Sequence, residues 1–171
     1  MNEPISLISS AIRAVPDFPK PGILFRDITT LLQNPQAYAA AVGLLTARIR
    51  QMAPTHIAAI ESRGFLFAAP AAVELELPLC ILRKPGKLPA ATIRETYQLE
   101  YGTDSIEIHA DALGAGDRVV IVDDLLATGG TAAAAGRLVA KCQAAVAGYA
   151  FIVELGELGG RAKLDAPVIS L

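Results

Sequence analysis

The sequence predicts an α/β fold built on a central, mainly parallel sheet flanked by helices. Short apolar runs of strand length recur along the chain: HIAAI at 56–60, LPLCIL at 77–82, RVVIV at 118–122 and the segment 145–153. Such near-continuous apolar runs suit strands covered on both faces. Segments of helical composition lie between them, and repeated strand, helix, strand order is what crossover-connected parallel strands require.

Taken in order, apolar spacing of three and four over 5–15 predicts a short amphipathic helix, halted by Pro16, Pro19 and Pro21. An extended stretch follows the turn at Gly22. Pro35 opens a second, alanine-rich helix running to about Met52 and ending before Pro54. After the strand at 56–60, a helix is expected over 64–75, then the strand at 77–82. Residues 83–96, RKPGKLPAATIRET, mix prolines, glycine and charge without periodicity and read as a long mobile loop. Alternation in TYQLEYG and SIEIH predicts an antiparallel hairpin of 96–101 with 105–109. The strand at 118–122, a helix over 131–142 and the strand at 145–153 complete the pattern. With no internal repeat and no linker, residues 1–171 are expected to form a single domain.

Composition narrows the function. Charged residues are 19% and hydrophobic residues 53% of the chain, so more apolar surface than usual needs cover, and a subunit interface would supply some. The net charge of -2, without any like-charge block, argues against nucleic acid or an anionic membrane as partner. No apolar run approaches the ~18 residues of a span, and Glu3 stands where a secretory signal carries positive charge, so the expectation is a cytoplasmic protein. Cys80 and Cys142 read as reduced, buried thiols, and His56 and His109, each at a strand end, as structural residues. No zinc-site spacing, GxSxG elbow or Walker loop occurs, and the GAG at 114–116 precedes a strand instead of following one.

The segment with chemical content is VVIVDDLLATGGT, 119–131. Side chains alternate across a strand, so adjacent Asp123 and Asp124 serve one ligand only if the strand stops there; the expectation is that it does. Two carboxylates at a strand's carboxyl end suit the 2- and 3-hydroxyls of ribose. Ala127, Thr128, Gly129, Gly130 and Thr131 supply small residues, hydroxyls and the N-terminus of a helix, a combination that cradles a phosphate. The segment therefore reads as a site for a ribose 5-phosphate. In ESRGF, 61–65, Arg63 sits between a strand and a helix, where a guanidinium can grip a pyrophosphate. Arg83, Lys84 and Lys87 in a Pro- and Gly-bearing loop suit closure over an anionic leaving group. Phe25, next to Arg26 in the extended stretch, offers a ring for a base to stack on.

VVIVDDLLATGGT resembles the phosphoribosyl pyrophosphate signature of the type I phosphoribosyltransferases. Together with PGILFRDI (21–28), ESRGF, LRKPGKLP (82–89) and LEYG (99–102), in that order, it is similar to the branch of that family that uses adenine. The resemblance implies that family's fold, with a flexible loop, a hairpin and a small N-terminal hood. It implies transfer of a 5-phosphoribosyl group to adenine with release of pyrophosphate, Mg²⁺ held mainly by substrate and water, and a homodimer. It assigns catalysis to Glu100, as manager of a purine proton, and to Arg63. Pyrophosphate contacts fall to Arg63, Arg83, Lys84, Lys87 and Tyr101, and the base to Phe25, Arg26 and Leu125. It implies unusual backbone geometry at Glu61 and Ser62. Pro85 departs from the basic or polar residue relatives often carry. The same residues leave open transfer to xanthine, guanine or orotate, and a nucleotide sensor without turnover; a sensor is expected to lose Glu100, Arg63 or Lys84 and to gain a DNA-binding segment.

Overall fold

Local sequence chemistry accounts for most elements of the computed structural model, which describes residues 3–98 and 102–171. Contacts group the chain into two units, Met1–Leu44 and Leu45–Leu171.

In the first unit, helix α1 is Glu3–Ala11, shorter than the expected 5–15. Its place is taken by strand β1, Arg13–Pro16, which pairs antiparallel with β2, Leu24–Asp27, in the register Arg13 with Asp27 through Pro16 with Leu24. Helical spacing gave way because Arg13 gains both a ladder and an ion pair to Asp27. That guanidinium and the Thr29 amide hold the Asp27 carboxyl down to about 2. The one-turn helix α2 is Thr29–Leu32. Helix α3, Pro35–Gln51, starts as expected, with Asn34 Oδ1 accepting the Ala37 N–H at 3.1 Å and proline in the first turn, where its missing N–H costs nothing.

The second unit holds β3 (His56–Ile60), α4 (Gly64–Leu75), β4 (Leu79–Leu82), β5 (Thr92–Gln98), β6 (Thr103–His109), β7 (Arg118–Leu126), α5 (Gly130–Lys141), β8 (Ala145–Glu154) and β9 (Val168–Ser170), with 3-10 turns at Gly156–Leu158 and Gly160–Lys163. The sheet runs β4-β3-β7-β8-β9, and every pairing in it is parallel, so the α/β expectation holds. Val119 to Val122 at its centre are fully buried, as the apolar run requires. Among the described residues no helix is long and apolar enough to cross a membrane.

Two expectations change here, and a third is not reached. The loop after β4 is shorter than 83–96, because Thr92, Ile93 and the residues after them extend the hairpin to pair with His109 through Thr103. The far end of the expected first hairpin strand, 99–101, lies outside the described residues. Strand β7 does not stop at Val122 but continues to Leu126.

Candidate functional site

Strand order places a switch point between β3 and β7. From β3 the chain crosses to β4 on one side, while β7 lies on the other, so the carboxyl ends of β3 and β7 open into a crevice of the kind in which parallel sheets bind ligands. Pairing between these strands ends at Ala59 with Val122, yet β7 stays paired to β8 as far as Leu126 with Glu154. Asp123 to Leu126 therefore overhang β3. This overhang, and not the end of the strand, is what sets the aspartate pair beyond the pairing with β3. Alternation persists: Asp124 is 4% exposed, and its Oδ2 accepts Arg63 Nε at 2.6 Å. Asp123 is partly buried, and its Oδ1 accepts the Asp124 amide at 2.9 Å. Burial first, and then the neighbouring Asp124 charge, push the Asp123 carboxyl well above its ordinary range.

Beyond β7 the chain turns on Gly129, whose φ of 76° puts it in the left-handed region, and α5 begins at Gly130. The first backbone bond at this end is Ala133 N–H to Gly129 O at 2.9 Å, so the amides of Gly130, Thr131 and Ala132 precede the helical ladder, where an anion is favoured. Asp123, Leu125 and Ala127 to Ala132 line one cleft of about 340 Å³. The loop is packed against backbone from far along the chain: a Cβ on Gly160 would stand 2.8 Å from the Gly129 nitrogen and overlap the Ala127 carbonyl oxygen.

The cations of the second unit gather carboxylates. Arg63 follows a cis peptide between Glu61 and Ser62, the unusual geometry the resemblance implied. Gly64 is required beside it, since a Cβ there would lie 2.8 Å from the Val122 carbonyl oxygen of β7. Arg83 Nε donates to Glu61 Oε2 at 2.8 Å. Lys84 pairs with Asp104 and donates to the Tyr97 hydroxyl at 3.3 Å. Burial disfavours the Lys84 ammonium, but these two partners outweigh it and raise its pKa. Gly86 N–H donates to Glu107 Oε2 at 3.1 Å, tying the loop to β6, and Lys87 is exposed.

The structure thus brings Asp123, Leu125, Ala127, Thr128, Gly129, Gly130 and Thr131 into one cleft, with Asp124 and Arg63 joined at its edge. Phe25 and Arg26 lie in β2 of the other unit, Phe25 edge-on to Phe18 with ring centroids 5.0 Å apart. Glu100 and Tyr101 lie outside the described residues. Sequence reasoning named Glu61 only for its backbone and missed Tyr97, Asp104 and Gly160. Only the alternation of the hairpin, which turns Tyr97 inward, carried any signal of them. Among the described residues no group of three or more His, Cys, Asp or Glu converges as a metal cage. Both cysteines are buried and unbonded to each other.

With this geometry in view, comparison with known proteins is specific. Residues 27–169 match the model of the phosphoribosyl transferase domain. The chain is 54% identical over 165 residues to the adenine phosphoribosyltransferase of a Synechococcus species, covering 96% of each. It is similar to the crystal structure of adenine phosphoribosyltransferase from Thermoanaerobacter pseudethanolicus, with a TM-score of 0.94 and 49% identity over 98% of both chains. It also resembles the Saccharomyces cerevisiae enzyme complexed with adenine and an imino-altritol bisphosphate, with a TM-score of 0.95 and 38% identity over 99% of both.

Proposed function

The chain belongs to the phosphoribosyl transferase family, and from that premise we propose that it moves the 5-phosphoribosyl group of phosphoribosyl pyrophosphate onto adenine, releasing pyrophosphate and forming AMP. The observation that carries this reading is the crevice at the ends of β3 and β7, where the cleft lined by Ala127 to Ala132 lies beside a turn bearing Arg63. Adenine phosphoribosyltransferases at about half identity over nearly the whole chain support adenine as the base.

In the reaction the bond from the anomeric carbon to the pyrophosphate oxygen breaks while a purine ring nitrogen attacks that carbon. Positive charge builds on the sugar and negative charge on the leaving group. Ala127 to Thr131 hold the 5-phosphate. Arg63 exchanges the Asp124 carboxylate for pyrophosphate, which frees Asp124 for one ribose hydroxyl; Asp123, which alternation turns to the other side of β7 but which lines the cleft beyond the end of β3, is assigned to the other. Arg83, Lys84 and Lys87 neutralise the departing diphosphate, Tyr101 donates a hydrogen bond to it, and Glu100 handles the purine proton. Phe25, Arg26 and Leu125 keep the base roles that the resemblance implies, and residues 1–171 are taken as a single domain on that resemblance. Anchoring the donor at both ends lowers the entropic part of the barrier.

Mg²⁺ fits this arrangement as an ion that arrives with the donor, because it tolerates one or two carboxylates and otherwise keeps phosphate and water oxygens. When bound it would neutralise charge on the leaving group. A second copy of the chain would cover apolar side chains such as Val73, which is 79% exposed. Reduced buried thiols and small anionic substrates agree with a cytoplasmic setting.

The test is turnover on a base panel with donor and Mg²⁺. AMP from adenine, with xanthine, guanine and orotate inert, is the expected result; donor binding without turnover on any base would turn the reading into a sensor.

A further inference from the structure

Tyr97 lies in β5, in none of the motifs that mark the site, and is 5% exposed. Its hydroxyl is a junction. It accepts a hydrogen bond from Thr131 Oγ1 at 3.2 Å and another from Lys84 Nζ at 3.3 Å, and it donates to Asp104 Oδ2 at 3.2 Å. Lys84 closes the group by pairing with the same Asp104 oxygen and sits 5.7 Å from the centre of the Tyr97 ring. Asp104 is held in turn by its Oδ1, which accepts the Ser105 amide at 2.7 Å.

These partners come from opposite ends of the proposed donor site. Thr131 is in the first turn of α5 and lines the phosphate cleft, whereas Lys84 belongs to the loop after β4 assigned to pyrophosphate. A tyrosine hydroxyl has two lone pairs and one proton, so this one is saturated. Thr131 has a single hydroxyl proton. A phosphate oxygen that accepts the Thr131 O–H breaks its bond to Tyr97 and removes the tie that fixes the hydroxyl to α5, so the network shared with Asp104 and Lys84 loses one of the bonds that position it. The group that ties Lys84 is loosened as a result.

We propose that Tyr97, held by Asp104, is a positioning residue that couples occupancy of the 5-phosphate cleft to release of Lys84 toward pyrophosphate. The coupling rests on the assignment of the two ends given above, and it concerns binding, not the bond-breaking step. By linkage it is reciprocal: each fragment of the donor tightens the other by the same factor.

The experiment uses the two fragments as probes. Pyrophosphate affinity is measured by calorimetry in Mg²⁺, with and without saturating ribose 5-phosphate, on the parent, Tyr97→Phe and Asp104→Asn. Tyr97→Phe keeps the packed ring and removes only the hydroxyl. The enhancement of pyrophosphate affinity by ribose 5-phosphate is expected to be about fivefold greater in the parent than in Tyr97→Phe, the worth of roughly one neutral hydrogen bond. Asp104→Asn, which removes the charge that holds Lys84, should show the same loss. Melting temperatures verify that each variant folds.

A Tyr97→Phe protein with the parent's enhancement overturns the proposal, as does one that loses affinity for each fragment alone while the enhancement persists. A parent that shows the coupling but makes no AMP sinks the adenine assignment and leaves the coupling standing. A parent that binds neither fragment overturns both.

Discussion

Replacing Gly160 by alanine tests whether backbone about thirty residues beyond the proposed phosphate loop shapes it. The added Cβ would stand 2.8 Å from the Gly129 nitrogen and 3.1 Å from the Ala127 carbonyl carbon, and would overlap the Ala127 oxygen. All three are backbone atoms, so no rotamer change relieves them; the 3-10 turn or the loop must move. Overpacking of this kind costs about 1–3 kcal/mol. For a chain of this length, with roughly 2–4 °C per kcal/mol, the melting temperature should fall by about 2–12 °C. Because the atoms displaced belong to residues that line the proposed phosphate cleft, donor affinity should fall by at least about tenfold. Gly156→Ala is the control: it too lies in a 3-10 turn, and a Cβ there meets nothing within 4 Å. Thermal melts and calorimetric titration with phosphoribosyl pyrophosphate and Mg²⁺ measure both quantities. If Gly160→Ala behaves like Gly156→Ala in both, the close approach does not shape the loop and the reasoning fails.

Asp124→Asn should raise the donor KM at least about tenfold while costing only about 1 kcal/mol of stability, since its partner Arg63 is 49% exposed and the pair is screened; an unchanged donor KM removes Asp124 from the ribose site. Asp123, with its carboxyl pushed up by burial and by Asp124, binds its proton more tightly folded than unfolded, so its contribution is full at acid pH and is lost as pH rises through the folded value. Asp123→Asn should therefore stabilise the free protein at neutral pH, with the gain vanishing near pH 4, as denaturant titrations across pH would record. Glu95 in β5 shows the opposite sign. Lys141 and then Arg137 lower its pKa, so it stabilises the fold above the ordinary carboxylate value and that contribution is lost as pH falls through the folded one. Glu95→Gln should cost about 1 kcal/mol at pH 7, discounted because both cations are half exposed, and progressively less as pH falls through the folded value. Cys80, pushed up to about 11 by burial and then by Asp117, and buried Cys142 should resist a thiol reagent until the chain unfolds; rapid labelling of the native protein would contradict the packing.

What the sequence determined by itself was whatever a short window can encode. β3 and α4 fall at the residues their apolar patterns mark, and the turn from β7 into α5 falls at ATGGT, because strand burial, helical spacing and glycine's backbone freedom are local properties. Tertiary structure decided what depends on a distant partner. β1 is a strand only because β2 lies beside it, and three-residue β9 only because β8 does. β7 carries two aspartates within a strand because β8 continues to pair it after β3 has ended. The Tyr97 junction draws on residues 7, 13 and 34 positions away, and the back of the phosphate loop on Gly160. A local pattern reports which face of an element is apolar. It carries no information about which carboxylate a cation will meet, because that pairing is set by the order in which strands assemble in the sheet.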